Sequence, residues 1–218
     1  MRLFVVFLSL GLLLLCIPGP ARAKQAANSA IVAIYYLDSR QNNTLSLYYQ
    51  SKNLPWGLQF WGFTDFDSVQ HDDARQYDLN SFYTEARLTH TLHRGLGVQA
   101  EYNDASGQDN SVGRFGLVYK VPLASHFVSL RAFPLETDGD GGQLSAAWGF
   151  SPLDPRIFIE GFLDYNFRQN GKRIVFEPQL RYMLARQLGL TFEYRLNEFL
   201  SGPGKDDTGL ALGLYYSF

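Results

Sequence analysis

The stretch that decides the fold is TGLALGLYYSF at residues 208–218. Leu210, Leu212, Leu214, Tyr216 and Phe218 fall on one side of an extended chain. Gly209, Ala211, Gly213, Tyr215 and Ser217 fall on the other. Such a period of two marks a strand, because successive side chains of a β-strand point to opposite faces. The preceding QLGLTFEYRLN at 187–197 repeats the pattern. Leu188, Leu190, Phe192, Tyr194 and Leu196 face one way; Gly189, Thr191, Glu193, Arg195 and Asn197 face the other.

Working backwards, period two runs through twelve segments: 30–37, 43–50, 56–66, 80–91, 95–104, 112–121, 126–135, 142–150, 156–167, 173–183, 187–197 and 208–218. No helical pattern lies between them to cover the recurring apolar faces. A sheet of this kind needs lipid outside and a polar interior. Within lipid every backbone N–H and C=O must find an internal partner, so strands can span only as a closed barrel. The sequence therefore predicts an all-β, transmembrane, antiparallel up-and-down β-barrel of about twelve strands, formed by residues 24–218. A β-sandwich, with its apolar faces packed together, is the alternative. The chain end argues against it. Phe218 after alternating apolar residues resembles the C-terminal signature through which the barrel-assembly machinery recognises outer-membrane barrels.

The N-terminus reads as a signal peptide, residues 1–23. Arg2 supplies the positive charge, residues 3–17 are almost unbroken in apolarity, and Ala21-Arg22-Ala23 is a small-x-small cleavage site. The apolar run is shorter than the ~20 residues of a spanning helix. Cys16 is the only cysteine, so a mature chain beginning at Lys24 has neither a disulfide nor a cysteine-bound metal. Without Arg2 and Arg22 the charges are 17 basic against 21 acidic, which argues against a nucleic-acid partner. The expected location is the outer membrane of a Gram-negative bacterium, with its lipids and lipopolysaccharide as partners. No cofactor is implied.

The expected connections alternate. Those at 92–94, 122–124, 151–155 and 184–186 are short; those at 67–79, 105–111, 136–141, 168–172 and 198–207 are longer and polar. Short periplasmic turns and longer outer loops fit a barrel of this class. An even strand count requires 30–37 to be a strand, although its own alternation is poor. Pro134 and Pro178 fall inside expected strands, where proline removes a ladder donor, so each requires a bulge or a break in pairing.

The same parity assigns an inward face. Its acids are Asp65, Glu85, Glu101, Glu160, Asp164, Glu177 and Glu193; its bases are Arg87, Arg114, Lys120, Arg131, Arg181 and Arg195. Such near balance favours neither anions nor cations. Tyr48, Trp61, Phe63, Tyr83, Phe127 and Phe133 also face inward by parity. Aromatic rings beside hydrogen-bonding groups suit a small polar solute with a planar or sugar-like body. Two readings stay open. One is a polar pore that contacts solute. The other is a lumen filled and stitched by ion pairs, giving a structural or adhesive barrel.

Three stretches carry a family resemblance: NTLSLYY at 43–49, WGLQFWGFTDF at 56–66 and SFYTEARL at 81–88. An aromatic strand, an aromatic-Gly-aromatic-x-Asp strand and a Glu-x-Arg strand after a long loop occur in this order in the nucleoside-specific outer-membrane channel family (Tsx-like), which residues 43–87 resemble. The resemblance implies twelve strands and passive nucleoside uptake through weak sites along the lumen. It places Asp65, Glu85 and Arg87 among the pore-lining residues. The chain departs from the family in its short length, and its later strands carry no matching motif.

The rival class is a barrel enzyme that modifies lipid A through a Ser-His-acid arrangement. His71, His90, His93 and His126 fall in loops or near turns, and no Gly-x-Ser-x-Gly element frames a nucleophile. Asp138-Gly-Asp-Gly-Gly is similar to a calcium loop, but its twelfth position is Gly149 where an EF-hand needs Glu. Processing gives the first test. N-terminal sequencing of protein from outer membranes is expected to start at Lys24; retention of Met1 removes the signal-peptide reading.

Overall fold

The computed structural model describes residues 29–69, 79–107, 111–123, 126–137, 139, 141–151 and 154–218. The signal-peptide assignment, His71 and the calcium-like residues Asp138 and Asp140 lie outside the described residues. Twelve strands follow in chain order: β1 (Ser29–Asp38), β2 (Asn42–Ser51), β3 (Leu58–Val69), β4 (Leu79–His93), β5 (Leu96–Ala105), β6 (Val112–Pro122), β7 (Phe127–Glu136), β8 (Gly141–Phe150), β9 (Ile157–Arg168), β10 (Gly171–Met183), β11 (Leu188–Ser201) and β12 (Asp207–Ser217). Each pairs antiparallel with its chain neighbours, and β12 pairs with β1 to close the barrel.

The weak first segment is a full strand. It pairs with β12 from Val32 opposite Ser217 to Asp38 opposite Ala211, and with β2 along nearly its whole length. Its alternation was faint because it is apolar on both faces. Tyr35 and Leu37 point outward, whereas Ile34 and Tyr36 point inward and are buried with Ala211 and Tyr215.

The outward face matches its sequence reading. Leu212 is 55% exposed and Leu214 51%, and Leu190 and Phe192 are also exposed. Leaving that much apolar surface uncovered suits lipid. The alternate residues face the interior. Gly213 faces inward but has no free space: a Cβ there would lie 2.3 Å from Thr191 Oγ1 and 2.8 Å from the Tyr36 ring. The large Tyr36 side chain lies over the glycine directly opposite it.

Both prolines are accommodated, in different ways. At Pro134 the register shifts between Phe115 and Leu117, so Phe133 and Pro134 together oppose Gly116. This is a bulge, and the glycine is needed there: a Cβ would lie 2.0 Å from the Ala132 carbonyl oxygen. Pro178 pairs with Gly161 on β9, while the β10–β11 pairing skips Glu177 and Pro178 and resumes at Gln179.

The connections are more uniform than expected. Two on the side away from the termini, residues 39–41 and 169–170, are as tight as hairpin turns. On the termini side Arg94 and Gly95 both have positive φ, which the right-handed strand twist favours in a two-residue turn. Trp56, 86% exposed, also has positive φ in the turn joining β2 and β3.

Leu212→Arg puts a charge on the outward face of β12. It is expected to cost about 2–4 kcal/mol if the residue lies near the bilayer midplane, read as a lower urea midpoint for folding into vesicles. An unchanged midpoint shows that this face does not meet lipid.

Candidate functional site

Inside the barrel lies a cavity of 1160 Å³ lined by residues from all twelve strands. Tyr48, Trp61, Phe63, Asp65, Tyr83, Glu85, Arg87, Arg114, Arg131, Glu177, Arg181, Glu193 and Arg195 all line it. Glu101 also points inward but is 3% exposed, beneath Arg87 and Arg114. No histidine lines the cavity among the described residues. His90 and His93 lie at the terminus-side end of β4, and His126 lies just before β7.

One charged network crosses β4 to β7. Arg87, Glu101, Arg114 and Glu136 sit directly opposite one another on successive strands. The ladder therefore alternates sign. Arg87 Nε donates to Glu101 Oε2 at 2.8 Å, and the same guanidinium pairs with Glu85. Arg114 donates to Glu101 Oε1 at 2.8 Å and to Glu136 Oε1 at 2.6 Å. Arg168 approaches Glu136 at 3.6 Å. Each buried charge thus meets an opposite one, which offsets the cost of taking it out of water.

Glu136 was not among the expected inward residues. Counted by parity from Arg131 and Phe133, position 136 points outward. The extra residue of the Pro134 bulge turns it inward, since a one-residue slip exchanges the two faces.

A second network occupies the opposite wall. Arg195 pairs with Glu193 and lies 3.1 Å from Asp38 Oδ2. Arg40 bridges Asp38 and Asp207, each at 2.6 Å. Tyr36 donates its hydroxyl proton to Glu193 Oε2 at 3.0 Å, and Gln179 donates to the same oxygen at 3.0 Å and to the Tyr36 hydroxyl. Sequence reading ended the first strand at Leu37 and so missed Asp38, whose partners are 157 residues away on β11 and two away in the turn.

Between the networks an aromatic wall spans β2 to β4. Tyr48 stacks on Phe63 with centroids 5.5 Å apart and planes at 25°. Phe63 also meets Trp61 edge-on at 5.5 Å and Tyr83 at 5.6 Å. The Arg87 guanidinium covers one Trp61 face, 4.5 Å from the ring centre. Phe127 also borders the cavity, while Phe133 is packed away from it at 1% exposure.

The charge that faces the cavity departs from near balance. Ten basic side chains and six acidic ones line it among the described residues. Glu101 drops out because it lies beneath two guanidinium groups, and Glu136 and Asp38, though inward, are likewise covered. Lys52, Arg168, Lys172 and Arg173 join at the two mouths. Lys120 reaches across β4 and β5 to donate to Gln59.

No family model matches the chain, and no curated protein matches it. Its fold is shared with solved outer-membrane porins and channels. The KdgM porin is 16% identical, with 87% of this chain and 99% of that one aligned at a TM-score of 0.56. The NanC porin is 10% identical over 87% and 99% of the two chains, with a TM-score of 0.58. The COG4313 outer membrane channel from Pseudomonas putida F1 is 12% identical over 88% and 96%, with a TM-score of 0.50. At these identities the likeness is one of fold.

The second network should carry measurable stability. Tyr36→Phe removes a buried hydrogen bond to a charged group and is expected to cost about 1.5–3 kcal/mol. Arg195→Ala leaves Glu193 with an unpaired buried charge and should cost about 3–5 kcal/mol. Urea unfolding of the refolded barrel measures both. Equal, small losses show that the network adds nothing.

Proposed function

We propose that this protein is a passive channel in the outer membrane of a Gram-negative bacterium for small polar solutes, with nucleosides as the leading candidates. The observation that carries this reading is the lumen itself: it holds a 1160 Å³ cavity beside an aromatic wall. Twelve strands enclose more interior than eight. The first ion network runs from strand to neighbouring strand and the second crosses only β12, so space remains between them. A packed structural barrel would have used that space for side chains.

The nucleoside assignment rests on chemistry and on the motifs at 43–87. A nucleobase offers a flat face to Tyr48, Trp61, Phe63 or Tyr83, and a polar edge to groups such as Asp65, Glu85, Arg87 or Arg131. Binding through these groups must stay weak, because a solute held tightly does not leave the pore. The KdgM porin has been solved in complex with disordered oligogalacturonate, so the same architecture holds a polar solute in another protein. Phe218, 72% exposed and edge-on to Tyr216 at 5.0 Å, fits recognition by the assembly machinery. Lipid and lipopolysaccharide surround the outward face in this reading.

Liposomes containing the purified barrel are expected to take up adenosine or thymidine faster than sugars of similar size. Stacking of a base on an aromatic side chain is worth ~1–3 kcal/mol. Trp61→Ala should therefore lower the preference severalfold while leaving general leak nearly unchanged. Equal permeation of all solutes makes the protein a general porin. No permeation through a folded, heat-modifiable barrel favours the structural barrel or the enzyme.

A further inference from the structure

Charge is not spread evenly around the lumen. Residues 50–61, 87–100 and 114–135 form the terminus-side parts of the β2–β3, β4–β5 and β6–β7 hairpins, and they contain no aspartate or glutamate. They carry Lys52, Arg87, Arg94, Arg114, Lys120 and Arg131. Arg87 and Arg114 are taken up by the first network, and Arg94 lies in a turn. Arg131 turns toward β8, where it donates to Ser145 Oγ at 3.1 Å. Lys52 and Lys120 line the cavity on a wall without acids.

Register and reach bring these two lysines to one residue, Gln59. Lys120 Nζ leaves β6, passes over β5 and β4 and donates to Gln59 Oε1 on β3. The β2–β3 pairing ends with Ser51 opposite Phe60, so Lys52 stands one step on, across from Gln59. The inward neighbours of Gln59 on the next two strands are Thr89 and Gln99, which are neutral and bonded to each other at 2.6 Å. The charges that act on Lys120 are Arg131 and Lys52, both positive. Because the Gln59 oxygen accepts from Lys120, its amide nitrogen keeps two hydrogens for another acceptor. Two ammonium groups and an amide N–H donate only, so this place calls for an anion with several acceptor oxygens. A phosphate monoester supplies about two negative charges and three such oxygens, and a wall of one sign concentrates a solute of the other. The aromatic wall begins on the same face of β3 at Trp61, two residues or about 7 Å from Gln59. A ribose spans that separation between a base and its 5′-phosphate.

We infer that Lys52, Gln59 and Lys120 form a binding site for the phosphate group of a nucleoside monophosphate whose base stacks at Trp61. This rests on the nucleoside reading of the aromatic wall and adds to it the charge of the solute.

Calorimetric titration of the refolded, detergent-solubilised barrel with AMP, adenosine and inorganic phosphate tests the site. Binding in detergent does not need an open pore, so its outcome is separate from that of the liposome assay. AMP is expected to bind at least about tenfold more tightly than adenosine and than phosphate alone. Lys52→Gln and Lys120→Gln should each weaken AMP binding about fivefold to tenfold and leave adenosine binding as in the wild type. Lys205→Gln, at an exposed position between β11 and β12, should change neither. The heat-modifiable mobility of each variant confirms that it has folded. Adenosine binding with no gain for AMP overturns this inference alone, whereas no binding of either overturns the nucleoside reading with it. Phosphate binding as tightly as AMP, or unaltered AMP affinity in both lysine variants, also overturns the inference.

Discussion

The pairing of β1 with β12 is the interaction on which everything else depends. A sheet in lipid cannot end, because the free N–H and C=O groups of an edge strand would have no partner there. The hydrogen bonds that join Val32–Asp38 to Ala211–Ser217 remove both edges at once. They also bring the two ends of the described chain together. Tyr36 can then lie over Gly213, and Asp38 can reach Arg195. Without closure neither the inner apolar cluster nor the second ion network could form.

Closure then fixes the chemistry of the interior. Once the outward face is given to lipid, every alternate side chain has to point inward, charged or not. Burying that many charges is tolerable only when opposite signs meet. The register achieves this on one wall by placing Arg87, Glu101, Arg114 and Glu136 in a row. On the other wall it gathers Asp38, Glu193 and Arg195 from strands far apart in sequence. Because both networks lie along the wall, a cavity remains between them, and the rings of β2 to β4 border it. A polar, partly aromatic cavity follows from how the charges are satisfied.

The two prolines and the glycines opposite large side chains show how a regular sheet is bent to this purpose. The Pro134 bulge turns Glu136 inward, where it completes the first network. The gap at Pro178 interrupts the β10–β11 ladder beside Glu177, which borders the cavity. Both irregularities therefore border the charged lining, and they alter which groups the lining can pair.

The amino-acid sequence by itself determined the strand count, the antiparallel order and the inward facing of the charged and aromatic residues that its alternation singled out. These follow from a local rule: period two leaves no freedom once one face is apolar. It also required the faint first strand, through parity alone. Tertiary structure decided what that rule cannot reach. A bulge shifts parity by one, so Glu136 faced the wrong way until the pairing was known. Asp38 and Arg195, and Tyr36 and Glu193, are neighbours only because the barrel closes. Which carboxylates lie beneath arginines and which border the cavity is likewise a matter of reach across strands, and no spacing along the chain encodes it.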